Sequence, residues 1–101
     1  MTLVQDLIEI SERFEVDQFL KKAKRLAAED YNRSVHERKY YITSEQVYIV
    51  WFAKVLQNWK ALVSTDAHPG LYWEITYNGE KKETYVDLYS KTSNRVVPDV
   101  R

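Results

Sequence analysis

The stretch Val47–Leu56 carries a single charge, Lys54, among Val, Tyr, Ile, Trp, Phe, Ala and Leu. Such a run fits a pleated sheet better than a helix, because β-branched and aromatic side chains lose less freedom there; a buried helix through Gln57 is the alternative that periodicity alone leaves open. After Gln57-Asn58 come two more strand-like runs, Trp59–Thr65 and Leu71–Tyr77, then the turn pair Asn78-Gly79 and a last run, Lys82–Tyr89. The order reads as two successive β-hairpins, joined by the turn Asp66-Ala67-His68-Pro69-Gly70. Just ahead of them, Thr43 and Gln46 have the spacing of a capping box, which predicts a capped short turn.

Pairing can be tested on paper for the second hairpin. A two-residue turn at Asn78-Gly79 sets Tyr77 opposite Glu80, Ile75 opposite Lys82, Trp73 opposite Thr84 and Leu71 opposite Val86. Leu71, Trp73, Ile75, Val86 and Leu88 then share one face. Tyr72, Glu74, Thr76, Lys81, Glu83, Tyr85, Asp87 and Tyr89 share the other. The first strand does not split this way: Ile49, Trp51, Ala53 and Val55 oppose Tyr48, Val50, Phe52 and Leu56, and both sets are apolar. A strand covered on one side alternates apolar with polar. Cover on both sides, by helices or by a second subunit, is therefore expected. The residues after Tyr89 are polar up to Val96-Val97-Pro98 and could supply a short edge strand.

The first 40 residues have helical periodicity. Leu3, Leu7, Ile10 and Phe14 recur at four, three and four residues, with Val4 and Ile8 beside them. A second stripe comprises Phe19, Ala23, Leu26, Ala27, Tyr31 and Val35. Asp17 could cap a second helix. Two helices are expected, with one bent helix as the alternative, since neither Gly nor Pro divides them. The fold class is α+β: an N-terminal helical segment (residues 1–40) packed on an antiparallel sheet of about four strands (41–97), in a single domain spanning residues 1–101.

Charge is sorted along the helical half. Asp6, Glu9, Glu12, Glu15 and Asp17 face only Arg13, whereas Lys21, Lys22, Lys24, Arg25, Arg33, Arg38 and Lys39 outnumber Glu29, Asp30 and Glu37. The plain reading is a solvated acidic stretch beside a solvated basic one. The sharper reading makes Lys21, Lys22, Lys24 and Arg25 a patch for nucleic acid or an acidic partner. Over the whole chain 15 acidic residues balance 15 basic ones, so there is no overall field to attract a polyanion.

Several chemistries find no support. Without cysteine there is no disulfide, no thiolate nucleophile and no sulfur ligand for zinc. His36 and His68 lack a ligand partner at metal-binding spacing, and no metal or cofactor is expected. Ser64, Thr65 and Asp66 alternate in direction along a strand and form no triad. Gly70 and Gly79 belong to turns, so there is no phosphate loop. Glu74 and Glu83, with Asp87, read as solvated cross-strand charge rather than an acid–base pair. No catalytic residue is assigned, and the chain is not expected to be an enzyme. Its acidic start is unlike a signal peptide, Asn32-Arg33-Ser34 reads as a chance glycosylation pattern, and no apolar run approaches the ~20 residues that span a bilayer. A cytoplasmic, non-membrane protein is the expectation.

The run from Val47 through Trp59 to Thr65, continued in Leu71–Gly79 and Tyr85–Tyr89, resembles the signature of an uncharacterised family of small proteins from phages and prophages of Gram-positive bacteria. The likeness covers about residues 42–97, with His68-Pro69 departing from its turn. It implies expression in a bacterial host and supplies no catalytic residues. In that setting the expected role is a protein-interaction module, an accessory or counter-defence factor. Its surface is assigned to Trp59, Tyr72, Tyr85 and Tyr89, with a homodimer formed through the two-sided strand. The alternative is nucleic-acid binding through Lys21, Lys22, Lys24 and Arg25.

Overall fold

Leu3–Asn32 form one uninterrupted helix, α1, in a computed structural model that describes residues 3–100, with side chains from residue 12 onward. This decides between the two helical alternatives. Nothing between Phe14 and Phe19 breaks a helix, and Asp17 is an exposed mid-helix residue rather than a cap. The helix ends earlier than the stripe suggested, because its last amides tighten into short-range bonds such as Val35 N–H to Asn32 O at 3.1 Å. Asn32 then clamps the returning chain: its side-chain amide donates to Ile42 O and accepts from Ile42 N–H, both at 2.9 Å. Short 3-10 turns follow at Arg38–Tyr40 and Ser44–Gln46. The second carries the expected capping box, with Gln46 Oε1 accepting from Thr43 N–H at 2.9 Å.

Four strands follow, β1 (Val47–Val55), β2 (Asn58–Thr65), β3 (Leu71–Asn78) and β4 (Glu83–Ser90). They pair antiparallel in chain order, so the sheet is a simple meander. One face packs against α1, which lies over β1, β2 and β3. Ala23, Ala27 and Ala28 are buried and let the helix approach closely above Ala61, Val63, Trp73 and Ile75. Phe19 fills the gap beside Phe52 and Trp59, with ring centroids 6.0 and 5.6 Å away. Val86 and Leu88 of β4 lie on this same face yet remain exposed, so the helical cover stops short of the last strand.

Two register expectations are corrected. In β1, Ile49 pairs with Val63 but Trp51 pairs with Leu62, leaving Val50 as an extra residue in a bulge. Beyond it the faces exchange. Phe52 and Lys54 turn inward beside Ala61 and Trp59, while Trp51, Ala53 and Val55 turn outward. Part of the two-sided character assigned to this strand is therefore a shift of phase within it.

In the second hairpin, Asn78 pairs with Glu83, Tyr77 with Thr84 and Ile75 with Val86. The connection is four residues, not two. Asn78 Oδ1 accepts from the amides of Glu80 and Lys81, each at 3.1 Å, and Lys82 takes the left-handed φ of 55°. The slip from the expected register is even, so every side chain keeps its face. Gly79 is there for space. A β-carbon on it would overlap the carbonyl of Gln57 in the neighbouring turn, and its amide donates to Asn58 Oδ1 at 3.1 Å. The tail after Ser90 forms no edge strand; it is irregular to residue 100, tied at its start by Lys91 N–H to Gly70 O at 2.8 Å.

Candidate interaction surfaces

The sheet face turned away from α1 is built in rows that the pairing defines. One row crosses all four strands as Tyr48, Ser64, Tyr72 and Tyr89. The next reads Trp51, Leu62, Glu74 and Asp87, and the third Ala53, Lys60, Thr76 and Tyr85. Tyr48, Trp51, Tyr85 and Tyr89 are exposed and Tyr72 is half-buried between its neighbours. Charge here is modest. Lys60 lies 3.6 Å from Glu74, and Glu83 accepts a hydrogen bond from the Tyr85 hydroxyl. That bond, with some desolvation and the nearby carboxylate charge, raises the Tyr85 pKa above its ordinary value.

Trp59 does not belong to this face. It is only 8% exposed, its ring packs 5.8 Å from that of Phe52, and the Lys54 ammonium lies 4.8 Å above it. Tyr72, Tyr85 and Tyr89 are brought together; Trp59 is separated from them by the thickness of the sheet. Tyr48 and Trp51 take its place. Strict alternation in β1 divides those two residues, and only the bulge at Val50 puts both outside. The signal that could have found them was the unbroken apolar run itself, which no single alternating phase explains.

The basic segment of α1 borders an open groove of about 1370 Å³ between the helix and the β1–β2 turn. Among the described residues, Lys21, Lys22, Arg25 and Lys54 line it against one carboxylate, Glu15, and Phe14, Leu56 and Trp59 provide apolar wall. Lys22 lies 5.0 Å from the Tyr77 ring centre, and Arg25 pairs with Glu29 at 3.1 Å. Lys24 is not part of the lining. Three of the four expected cations are thus gathered, with Lys54 added from the sheet.

The hydroxyls near the β2–β3 turn are committed to structure. Ser64 donates to Leu71 O at 2.7 Å and Thr65 to Gln46 O at 2.6 Å. The His68 ring meets Tyr31 edge-on at 6.3 Å. Glu74 lies opposite Asp87 rather than Glu83. Among the described residues, no three His, Asp or Glu side chains group as a metal site, and no helix is long and apolar enough to cross a membrane.

Comparison with known proteins matches no curated protein and no solved structure. A family match does extend from the second half of α1 across all four strands, reaching further toward the N-terminus than residue 42. With residues 20–99 matched, the chain belongs to a family of unknown function, DUF6275.

Proposed function

We propose that the chain is a small, non-enzymatic accessory protein of phage or prophage origin that binds a protein partner through the outer face of its sheet. One observation carries this reading: five aromatic residues, Tyr48, Trp51, Tyr72, Tyr85 and Tyr89, lie on a face that no other layer covers among the described residues. Tyr and Trp supply large contact area at low conformational cost and dominate interface hot spots. Glu83 and Asp87 border the face, which favours a protein over a phosphate backbone. Within a bacterial host cytoplasm, occupying a partner's surface is a mechanism that needs no catalytic group, and host regulation or counter-defence is the proposed setting.

Recovery of partners from host lysate, followed by affinity measurement with Trp51→Ala plus Tyr89→Ala, tests it. Both side chains are exposed, so the fold should survive. Loss of two hot-spot residues is expected to weaken binding by about 30-fold or more. Unchanged affinity in a folded variant removes the aromatic face from the reading.

A second reading rests on the groove, where, among the described residues, Lys21, Lys22, Arg25 and Lys54 outnumber Glu15. Nucleic acid held there would bind with an affinity that falls steeply as salt rises. Titration with single- and double-stranded oligonucleotides at low salt decides it, and absence of binding ends it.

A further inference from the structure

The sheet has two edges, and they are built differently. β1 carries the bulge at Val50 and a lysine, Lys54, and both features blunt an edge against further pairing. β4 has neither: Glu83–Ser90 contains no Lys, Pro or Gly and pairs with β3 without a shift of register. One bond shows which way its main chain points. Lys91 N–H donates to Gly70 O at 2.8 Å, in the same register that sets Ser90 opposite Leu71. In an antiparallel ladder, residues that exchange bonds with the neighbour alternate with residues that do not. Glu83, Tyr85, Asp87 and Tyr89 therefore direct their amides to β3, whereas Thr84, Val86, Leu88 and Ser90 direct theirs outward. Among the described residues, no strand lies on that outer side. Val86 and Leu88, 37% and 53% exposed, are also the residues of β4 that α1 leaves uncovered. The same residues thus offer free main-chain groups and bare apolar side chains.

We propose that β4 is a homodimer interface, pairing antiparallel with β4 of a second copy about a two-fold axis at Val86 so that the two sheets become one. Only residues with outward amides can exchange bonds across this edge, so Thr84, Val86, Leu88 and Ser90 must pair among themselves. That parity sets inner face beside inner face and keeps both helices on one side of the joined sheet. Charge then selects among the registers left. An axis at Asp87 would oppose that carboxylate to its own copy, and an axis at Tyr85 would oppose Glu83 to Asp87, both unfavourable. An axis at Leu88 confines the overlap to Val86–Ser90. With the axis at Val86 the overlap runs from Glu83 to Tyr89. Val86 then meets Val86, Leu88 meets Thr84, and each carboxylate meets a phenol, Asp87 with Tyr85 and Glu83 with Tyr89. The strand satisfies both of its faces with a copy of itself, and the contact closes without leaving a β4 edge free. The tyrosine rows would run on into the second copy, but the contact requires no other partner to be bound there.

Sedimentation equilibrium on the full chain tests the proposal, with an expected mass of twice 12.1 kDa. Val86→Lys and Val86→Glu each bring like charges together at the axis and should weaken association at least about tenfold. An equal mixture of the two should recover a dimer containing one of each, because residue 86 meets itself. The chain has no cysteine, so a single introduced thiol reports the register. Val86→Cys places its Cα about 5.5 Å from its mate, within disulfide range, and should cross-link under mild oxidation. Thr84→Cys lies roughly 13 Å from its mate, at about 3.4 Å per residue over the four residues between them, and should not. Circular dichroism and melting curves check that each variant is folded. A wild-type chain that stays monomeric overturns the proposal. So does a dimer indifferent to Val86→Lys, a mixture of folded variants that fails to associate, or cross-linking by Thr84→Cys as ready as by Val86→Cys.

Discussion

Trp73, wholly buried on β3, donates its indole N–H to the Asp30 carboxylate of α1 across 2.9 Å. Tyr31, one residue further along the helix, meets the same indole edge-on at 6.2 Å. The polar end of the largest core residue is thus satisfied by the layer that covers it, and the bond fixes where the helix crosses the sheet.

Removing the acceptor by Asp30→Ala strands a buried donor, at a cost of about 1–3 kcal/mol. For a domain of this size each kcal/mol lowers the melting midpoint by roughly 4–8 °C. Asp30→Asn keeps a carbonyl oxygen in reach and should lose less. Thermal melts of the two variants decide the matter; equal losses would show that the hydrogen bond is not what Asp30 contributes.

The two turns that meet at Gly79 make a second prediction. A methyl group there would lie 2.6 Å from Gln57 Cγ and against its carbonyl, so backbone must move. Gly79→Ala is expected to cost about 1–3 kcal/mol, as overpacking does elsewhere. Gly70→Ala would meet only an ordinary contact, Lys91 Cβ at 3.9 Å, and the left-handed φ of 94° opposes it, so about 1–2 kcal/mol is expected. Urea unfolding of both, followed by tryptophan fluorescence, should rank Gly79→Ala as no less damaging.

Leu56 holds a φ of 57° while 81% exposed, which places an ordinary side chain in a backbone region that suits Asn or Gly. Leu56→Asn should stabilise the protein by up to about 1 kcal/mol. A rise of a few degrees in the melting midpoint is the expected result, and a fall would mean that the leucine makes contacts worth more than its strain.

Tyr85 gives a prediction in pH. Its hydrogen bond to Glu83 favours the neutral phenol and raises its pKa above 10.0. A raised phenol pKa means that the folded state holds this proton more tightly. The associated stability is therefore present below the unfolded pKa and is lost as pH climbs through the folded one, in the alkaline range. Glu83→Gln should return the Tyr85 titration toward its ordinary value, read by phenolate absorbance. No change between wild type and variant would dismiss the bond as the cause.

Much of this architecture was legible in the sequence. The order of strands, the sharing of faces in the second hairpin and the capped turn at Thr43 all follow from local rules acting over a few residues. What was not legible came from contacts between elements. The second turn is four residues long because β3 pairs Ile75 with Val86 and because Gly79 is held against Gln57. Val50 bulges because β1 must present Ile49 and Phe52 to the same helix. Trp59 was misassigned for a related reason: a tryptophan beside a turn looks exposed until the cover of Phe19 and Lys54 is known.

The bulge also changes what a deletion would do to β1. With Val50 removed, Ile49, Trp51 and Phe52 would follow one another in plain in–out–in order, each still opposite the partner it has now. The ladder could close over the gap without any side chain crossing the sheet. Val50 is thus a residue that the strand can spare by excision.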